Sequence, residues 1–229
     1  MSKSRDDLPP HKHTHTLDSW RVFRILSELV DGFETMVSLG PGVAFFGSAR
    51  TQPNNPYYQQ ATECAKKVVE KGFAVMTGGG PGIMEAANKG AQEKKGKSCG
   101  ICIDVPHEIR ANDFVDPKLT LHFRYFFIRK IMFVRYAQAF VVFPGGFGSL
   151  DELFEALTLV QTKKIKPIPI FLVGKTYWQG LLDWMKDSLL KEKNIGAKDL
   201  DLIHLTDDVD HIAEQIDQYY KKTRSFENF

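Results

Sequence analysis

Two charged residues in apolar settings carry the chemistry that this sequence offers. Glu152 ends the run Pro144-Gly145-Gly146-Phe147-Gly148-Ser149-Leu150-Asp151-Glu152, which follows the apolar stretch Ala139-Phe140-Val141-Val142-Phe143. The pattern reads as a buried strand, a glycine-rich turn and the opening of a helix. Such a turn aims main-chain N–H groups and the positive end of a helix dipole at one point, which suits a phosphate. A carboxylate in the first helical turn would then lie beside whatever the phosphate is attached to. The same residues admit a local role: Ser149-x-x-Glu152 matches a capping box, in which both side chains serve the helix end.

Arg129 favours the chemical reading. Its neighbours three and four positions away on a helix are Tyr125, Phe126, Met132 and Phe133. A guanidinium among such neighbours is buried and needs an anion, either a ligand or a structural carboxylate. Lys130 and Arg135, read from spacing alone, are solvated or interface charges.

The elements that must position these residues alternate along the chain. An amphipathic helix is expected over 17–39, where Val22, Ile25, Leu26, Leu29, Val30 and Phe33 keep helical spacing. Strands are expected at 43–46, 73–76, 98–105, 119–123, 139–143, 168–173 and 202–205. Helices are expected at 57–71, from the Gly78–Gly82 turn to 94, and at 126–136, 149–162, 177–190 and 209–221. Alternation of this kind, with continuously apolar strands, predicts an α/β fold: one domain, a mostly parallel sheet and helices on both faces. Ligands of such folds lie beyond the carboxyl ends of the strands. Three glycine-bearing turns are expected there: Gly47-Ser48, Gly78 to Gly82, and Gly145 to Ser149.

Neither dinucleotide nor P-loop spacing is met. Counting GxGxxG from Gly78 demands glycine at Ile83, and counting from Gly80 demands it at Glu85. GxxxxGK[ST] is absent, so hydride transfer and NTP hydrolysis lose support. A net charge of +2 gives no footprint for nucleic acid. No apolar run reaches the roughly 18 residues of a membrane span, and the polar N-terminus lacks a signal-peptide core. A cytoplasmic protein is expected, with no nucleic-acid or membrane partner. Residues 1–16 read as a disordered tail, 17–222 as the domain and 223–229 as a flexible end. His11, His13 and His15 alternate in the tail without a completing Cys or carboxylate, so no metal site is expected there. Cys99 and Cys102 have CxxC spacing, but on a strand they point to opposite faces, as buried small side chains.

Gly79-Gly80-Pro81-Gly82-Ile83-Met84-Glu85-Ala86, Phe127-Ile128-Arg129-Lys130-Ile131-Met132 and PGGFGSLDE together resemble the LONELY GUY (LOG) family, long mislabelled as lysine decarboxylases. The family pattern PGGxGTxxE is met from Pro144 to Glu152, with Ser149 in place of Thr. The N-terminal helix and the segment Phe46-Gly47-Ser48-Ala49-Arg50 resemble the longer bacterial branch. The resemblance implies a doubly wound Rossmann-like fold and hydrolysis of the N-glycosidic bond of nucleoside 5′-monophosphates, AMP or cytokinin riboside 5′-monophosphate. The products would be free base and ribose 5-phosphate. It implies Arg129 and Glu152 as the catalytic pair. It implies substrate contacts at Gly47, Ser48, Gly79, Gly80, Gly82, Ile83, Met84, Lys130, Pro144, Gly145, Gly146, Gly148 and Ser149. No metal or organic cofactor is implied, and a homo-oligomer, dimer or higher, is.

On that basis the Gly145–Ser149 turn holds the 5′-phosphate, and Glu152 stabilises positive charge on the ribose, holds its hydroxyls or orients water. Arg129 positions the ligand and keeps Glu152 ionised. Lysine decarboxylation would need a Schiff-base lysine, and none lies in the glycine turns. The alternative function is a non-catalytic carrier of a nucleotide or of molybdenum cofactor.

Overall fold

The computed structural model describes residues 15–104, 110–223 and 225–228. His11 and His13 lie outside the described residues, as do residues 105–109 and the side chain of His15. The elements run α1 (His15–Leu39), β1 (Gly42–Phe46), α2 (Pro56–Glu70), β2 (Ala74–Thr77), α3 (Ile83–Glu93) and β3 (Ser98–Ile103). After the short turn Pro117–Leu119 come β4 (Thr120–Phe123), α4 (Phe126–Tyr136), β5 (Ala137–Val142), α5 (Phe147–Gln161) and β6 (Ile170–Val173). The chain closes with α6 (Lys175–Trp184), which runs on through a wider π turn over Met185–Leu190. Then come α7 (Ala197–Leu200), β7 (Ile203–Thr206) and α8 (Val209–Thr223).

The seven strands of the described residues are all parallel, in the order β4-β3-β2-β1-β5-β6-β7. The chain builds outward from β1 to β4, then crosses back to lay β5 on the other side of β1. The strand order therefore reverses between β1 and β5, which is where doubly wound sheets open a crevice. Their register brings Phe46 opposite Val142, so the turns after both strands start level.

The apolar pattern explains the layering. Along β1, Val43 and Phe45 face α2, α3 and α8, while Ala44 and Phe46 face α1, α4 and α5. The central strands are buried throughout, because helices cover both faces. Asn55 caps α2 by accepting from the Tyr57 N–H at 2.8 Å, with Pro56 at the first helical position. Cys99 and Cys102 stand on β3, both buried and neither in a disulfide among the described residues.

The C-terminal residues differ from the expected flexible end. Asn228 is buried and donates from its amide to the carbonyls of Val134 and Ala137, both at 2.8 Å. Phe226 stacks on Tyr220 at 5.0 Å. The aromatic run Tyr219-Tyr220 and the polar Asn228 carried no periodicity that spacing could read.

Candidate active site

Three turns meet at the switch point, and backbone hydrogen bonds stitch them together. The Ser48 N–H, after β1, donates to the Pro144 carbonyl at 2.9 Å, and the Ile83 N–H, opening α3, donates to the Ser48 carbonyl at 3.1 Å. The close fit demands glycine. A Cβ on Gly47 would lie 2.7 Å from Ile83, and one on Gly145 would lie 2.7 Å from the Ser149 Cβ and 3.0 Å from the Gly47 backbone. Gly79 and Gly82 have φ of +74° and +69°, conformations other residues reach only with strain.

The Gly78–Gly82 turn has a further support that sequence reasoning missed. Buried Asn88 accepts from the Thr77 hydroxyl at 2.7 Å and from Asn112 at 3.0 Å, and donates to the Ser98 hydroxyl at 2.8 Å. Asn112 also donates to the carbonyls of Gly79 and Gly80, at 3.1 and 3.0 Å. Polar residues on α3 and in a loop gave no motif, and only their spatial meeting makes the network.

These turns frame a cleft of about 610 Å³, within the range that takes a small-molecule ligand. Of the residues expected to contact substrate, Gly47, Ser48, Met84, Gly146, Gly148 and Ser149 line it, together with Arg129 and Glu152. The others stand behind it or beside it. Gly79 and Gly80 border a small neighbouring recess. Ile83 is fully buried against Gly47. Gly82 packs on the backbone of Ser48 and Ala49. Pro144 and Gly145 work through main-chain bonds, the Gly145 carbonyl accepting from the Tyr177 hydroxyl at 2.7 Å. Lys130 is outside the cleft, ion-paired to Asp151 and Glu155 on α5. Arg50, Phe126 and Phe147 line the cleft without having been singled out. Arg50 stands two residues after Ser48, close enough to the Gly47-Ser48 turn that its place in sequence was a signal.

Arg129 and Glu152, 23 positions apart in sequence, come together in this cleft: an Arg129 guanidinium nitrogen lies 3.8 Å from Glu152 Oε1. The guanidinium also covers the Phe126 ring at 5.1 Å. Glu152 is 3% exposed. Arg129 Nε and Glu152 Oε1 are both buried without a hydrogen-bond partner among the described residues, an expensive condition unless a ligand supplies one.

The capping-box reading fails. Helix α5 begins at Phe147 with Gly146 as its cap, and the N–H groups of Ser149 and Leu150 both reach the Gly146 carbonyl at 3.1 Å. Ser149 is thus inside the first turn and Glu152 in the second, free of any capping duty. The first turn holds no acidic residue, which leaves the positive end of its dipole open to an anion.

The expected effect of Arg129 on Glu152 is right in direction and too small. Burial pushes the Glu152 carboxyl up to about 7, against the downward pull of Lys130 and Arg129. A carboxylate held in an apolar cleft loses more from missing water than the two cations return.

A parallel doubly wound sheet with its cleft at the β1–β5 reversal makes this a Rossmann-like α/β protein. More narrowly, residues 84–216, over half of the chain, match the family model described as "Possible lysine decarboxylase", and the chain belongs to that family, the LOG family. It is 28% identical over 120 residues to the cytokinin riboside 5′-monophosphate phosphoribohydrolase LOG of Oryza sativa subsp. japonica, a match covering 51% of this chain and 48% of that protein. To LOG7 of Arabidopsis thaliana, a protein of the same description, it is 26% identical over 169 residues, 72% of this chain and 76% of the relative. The chain thus spans about half the length of some curated relatives and three quarters of others. Among solved structures, the X-ray structure of TM1055 superposes with a TM-score of 0.59 at 22% identity, over 78% of this chain and 99% of that one. The molybdenum cofactor carrier protein of Chlamydomonas reinhardtii superposes with a TM-score of 0.56 at 21% identity, over 78% and 97%. Both likenesses are of fold. No described helix is long and apolar enough to cross a membrane.

Proposed function

We propose that this protein hydrolyses the N-glycosidic bond of a nucleoside 5′-monophosphate, AMP or cytokinin riboside 5′-monophosphate, to free base and ribose 5-phosphate. The observation that carries the reading is the meeting of Arg129 and Glu152, 3.8 Å apart, over the open N-terminus of α5. The main-chain N–H groups of the first turn of α5 and the Ser149 hydroxyl hold the 5′-phosphate. Arg129 offers its unpaired Nε to an anionic oxygen. Glu152 offers Oε1 to a ribose hydroxyl or to the attacking water.

In the reaction the bond from the ribose C1′ to the base nitrogen breaks and a bond from C1′ to water oxygen forms. One water proton goes to the departing base. Positive charge builds on the ring as the first bond stretches, and the Glu152 carboxylate stabilises it. A carboxyl titrating near neutrality suits a group that must both lose and regain a proton during turnover. The older decarboxylase description has less support, because no lysine is among the described lining residues and Lys130 is engaged by Asp151 and Glu155.

Helix α1 is apolar on two faces. Ile25, Leu29, Met36 and Leu39 pack inward, while Phe23, Leu26 and Val30 are exposed. A helix of that kind belongs in an interior, and a second copy of the chain is the body that covers it in this reading. Light scattering on the purified protein reports the assembly.

Incubation with AMP and with a cytokinin riboside 5′-monophosphate, with chromatography of the products, tests the function. Free base and ribose 5-phosphate in equal amounts are expected. Tight binding of either nucleotide without product would instead assign the protein to the carriers.

A further inference from the structure

Lys130 stands apart from every other cation near the cleft. Its ammonium lies 2.8 Å from Asp151 and 2.7 Å from Glu155, two short ion pairs that fix it against the side of α5. From there it is 3.6 Å from Glu152 Oε1, and it makes no hydrogen bond to that oxygen. The lysine side chain is 18% exposed and does not line the cleft. Its reach is set by helix geometry. Asp151 and Glu155 are four apart and Glu152 and Glu155 three apart, so α5 presents all three carboxylates to α4 around one point.

We propose that Lys130 is a positioning residue for Glu152: clamped by Asp151 and Glu155, it offsets their charge and sustains the ionised form of the Glu152 carboxylate while leaving Oε1 open to the ligand. The proposal deepens the reading of Glu152 given above and rests on it. A lysine that gripped substrate would have to surrender both ion pairs and move into the cleft. A lysine that only tied α4 to α5 would need one carboxylate, and here three surround it.

Among the described residues, four charged groups act on Glu152 from the elements packed around it. Lys130 and Arg129 on α4 favour its ionised form, while Glu155 and Asp151 on α5 oppose it, all against the larger effect of burial. Removing the lysine charge subtracts the larger of the two attractions and leaves Arg129 alone against two repulsions and burial. Lys130 itself stays charged, because the Asp151 and Glu155 contacts outweigh its own burial.

The test is the pH dependence of AMP hydrolysis by full-length Lys130→Met. Loss of a cation at this distance moves the midpoint of the kcat profile upward by about one pH unit or more. Turnover at pH about 6 then falls about tenfold relative to the parent and recovers above pH about 9, with KM unchanged. Lys130→Gln, which keeps a polar head for Asp151 and Glu155, shows the same displacement if the methionine variant does not fold. Lys130→Arg restores the parental midpoint. A fall in kcat that is equal at every pH overturns the proposal, and so does a raised KM with a fixed midpoint.

Ionisation of Glu152 can also be followed without turnover, by carbon NMR of glutamate-labelled protein with Glu152→Gln to assign the resonance. The same upward displacement is expected in Lys130→Met. If no nucleoside monophosphate is hydrolysed, the proposed function fails while this measurement still decides the role of Lys130. An unmoved resonance overturns that role.

Discussion

Replacing Glu152 with Gln should abolish most hydrolysis and at the same time stabilise the fold, increasingly so as pH rises. The second effect follows from burial. In the unfolded chain the carboxyl titrates near the ordinary 4.5, whereas in the folded protein it is pushed up to about 7. Between those values the folded chain holds a proton that the unfolded chain has released, so stability falls as pH rises through the window. One proton over that interval, at about 1.4 kcal/mol per pH unit, amounts to about 3 kcal/mol. Glutamine is nearly isosteric and does not titrate, so Glu152→Gln escapes the loss. In a domain of this size about 1 kcal/mol moves the melting temperature by about 2–4 °C. The variant should therefore melt about 6–12 °C above the parent at pH 8 and close to it at pH 4.5. Calorimetry at matched ionic strength across that range measures the gap. A gap that stays constant with pH would mean Glu152 ionises like a surface carboxylate, and the account of its burial would be wrong. Undiminished hydrolysis by the variant would remove the carboxylate from the mechanism.

Other consequences are as specific. Gly145→Ala forces a methyl against Ser149 and the Gly47 backbone, which rotation of the Ser149 hydroxyl cannot relieve; a loss of about 1–3 kcal/mol in urea unfolding is expected. Gly146→Ala meets nothing within 4 Å, so its stability should be unchanged while AMP affinity falls, and an equal loss of stability in both would refute the difference. Asn88→Ala leaves the buried Thr77 hydroxyl without its acceptor and removes the amide donor to Ser98, so about 1–3 kcal/mol should be lost in the same assay. In thermal-shift measurements ribose 5-phosphate should stabilise the protein and adenosine should not, on the proposed binding of the anion at the α5 N-terminus. At about 100 times its Kd, ribose 5-phosphate contributes about 2.7 kcal/mol, and equal shifts from both ligands would undo the assignment of the phosphate site.

The parts of this molecule legible in its sequence are those that depend on one element at a time. Strand and helix positions follow from apolar runs and periodicity, and the boundaries moved by only a few residues: β5 begins at Ala137 rather than Ala139, and β3 ends at Ile103 rather than Val105. Helix α7 was missed because four residues cannot display a period. Arg129 was legible because its neighbours are apolar in a helical frame that the fold keeps. What escaped notice depends on two elements meeting. Neither the spacing nor the resemblance signalled that α5 brings Asp151 and Glu155 to Lys130, and the Asn88 network exists only where α3, β2, β3 and the Asn112 loop touch. The capping pattern at Ser149 misled for a related reason: local spacing permits a helix start there, but the Gly146 carbonyl already receives two N–H groups.

The arrangement at Arg129 and Glu152 makes poor sense as structural reinforcement. A salt bridge kept for stability would close to hydrogen-bonding distance and satisfy both partners. Here the separation is 3.8 Å, Arg129 Nε and Glu152 Oε1 are left without partners, and the carboxyl is driven toward neutrality by its surroundings. Each of these features weakens the fold, and each is reversed by one kind of molecule. An anionic group beside the guanidinium gives Nε its acceptor, and a hydroxyl between the two gives Oε1 its donor. The first turn of α5 lies open at the same wall of the cleft for the rest of the anion. A phosphorylated sugar carries both groups a few bonds apart. The unpartnered Arg129 Nε and Glu152 Oε1 thus stand where the proposed ligand would supply both bonds, an arrangement that a structural ion pair does not require and that fits the proposed recognition of a sugar phosphate.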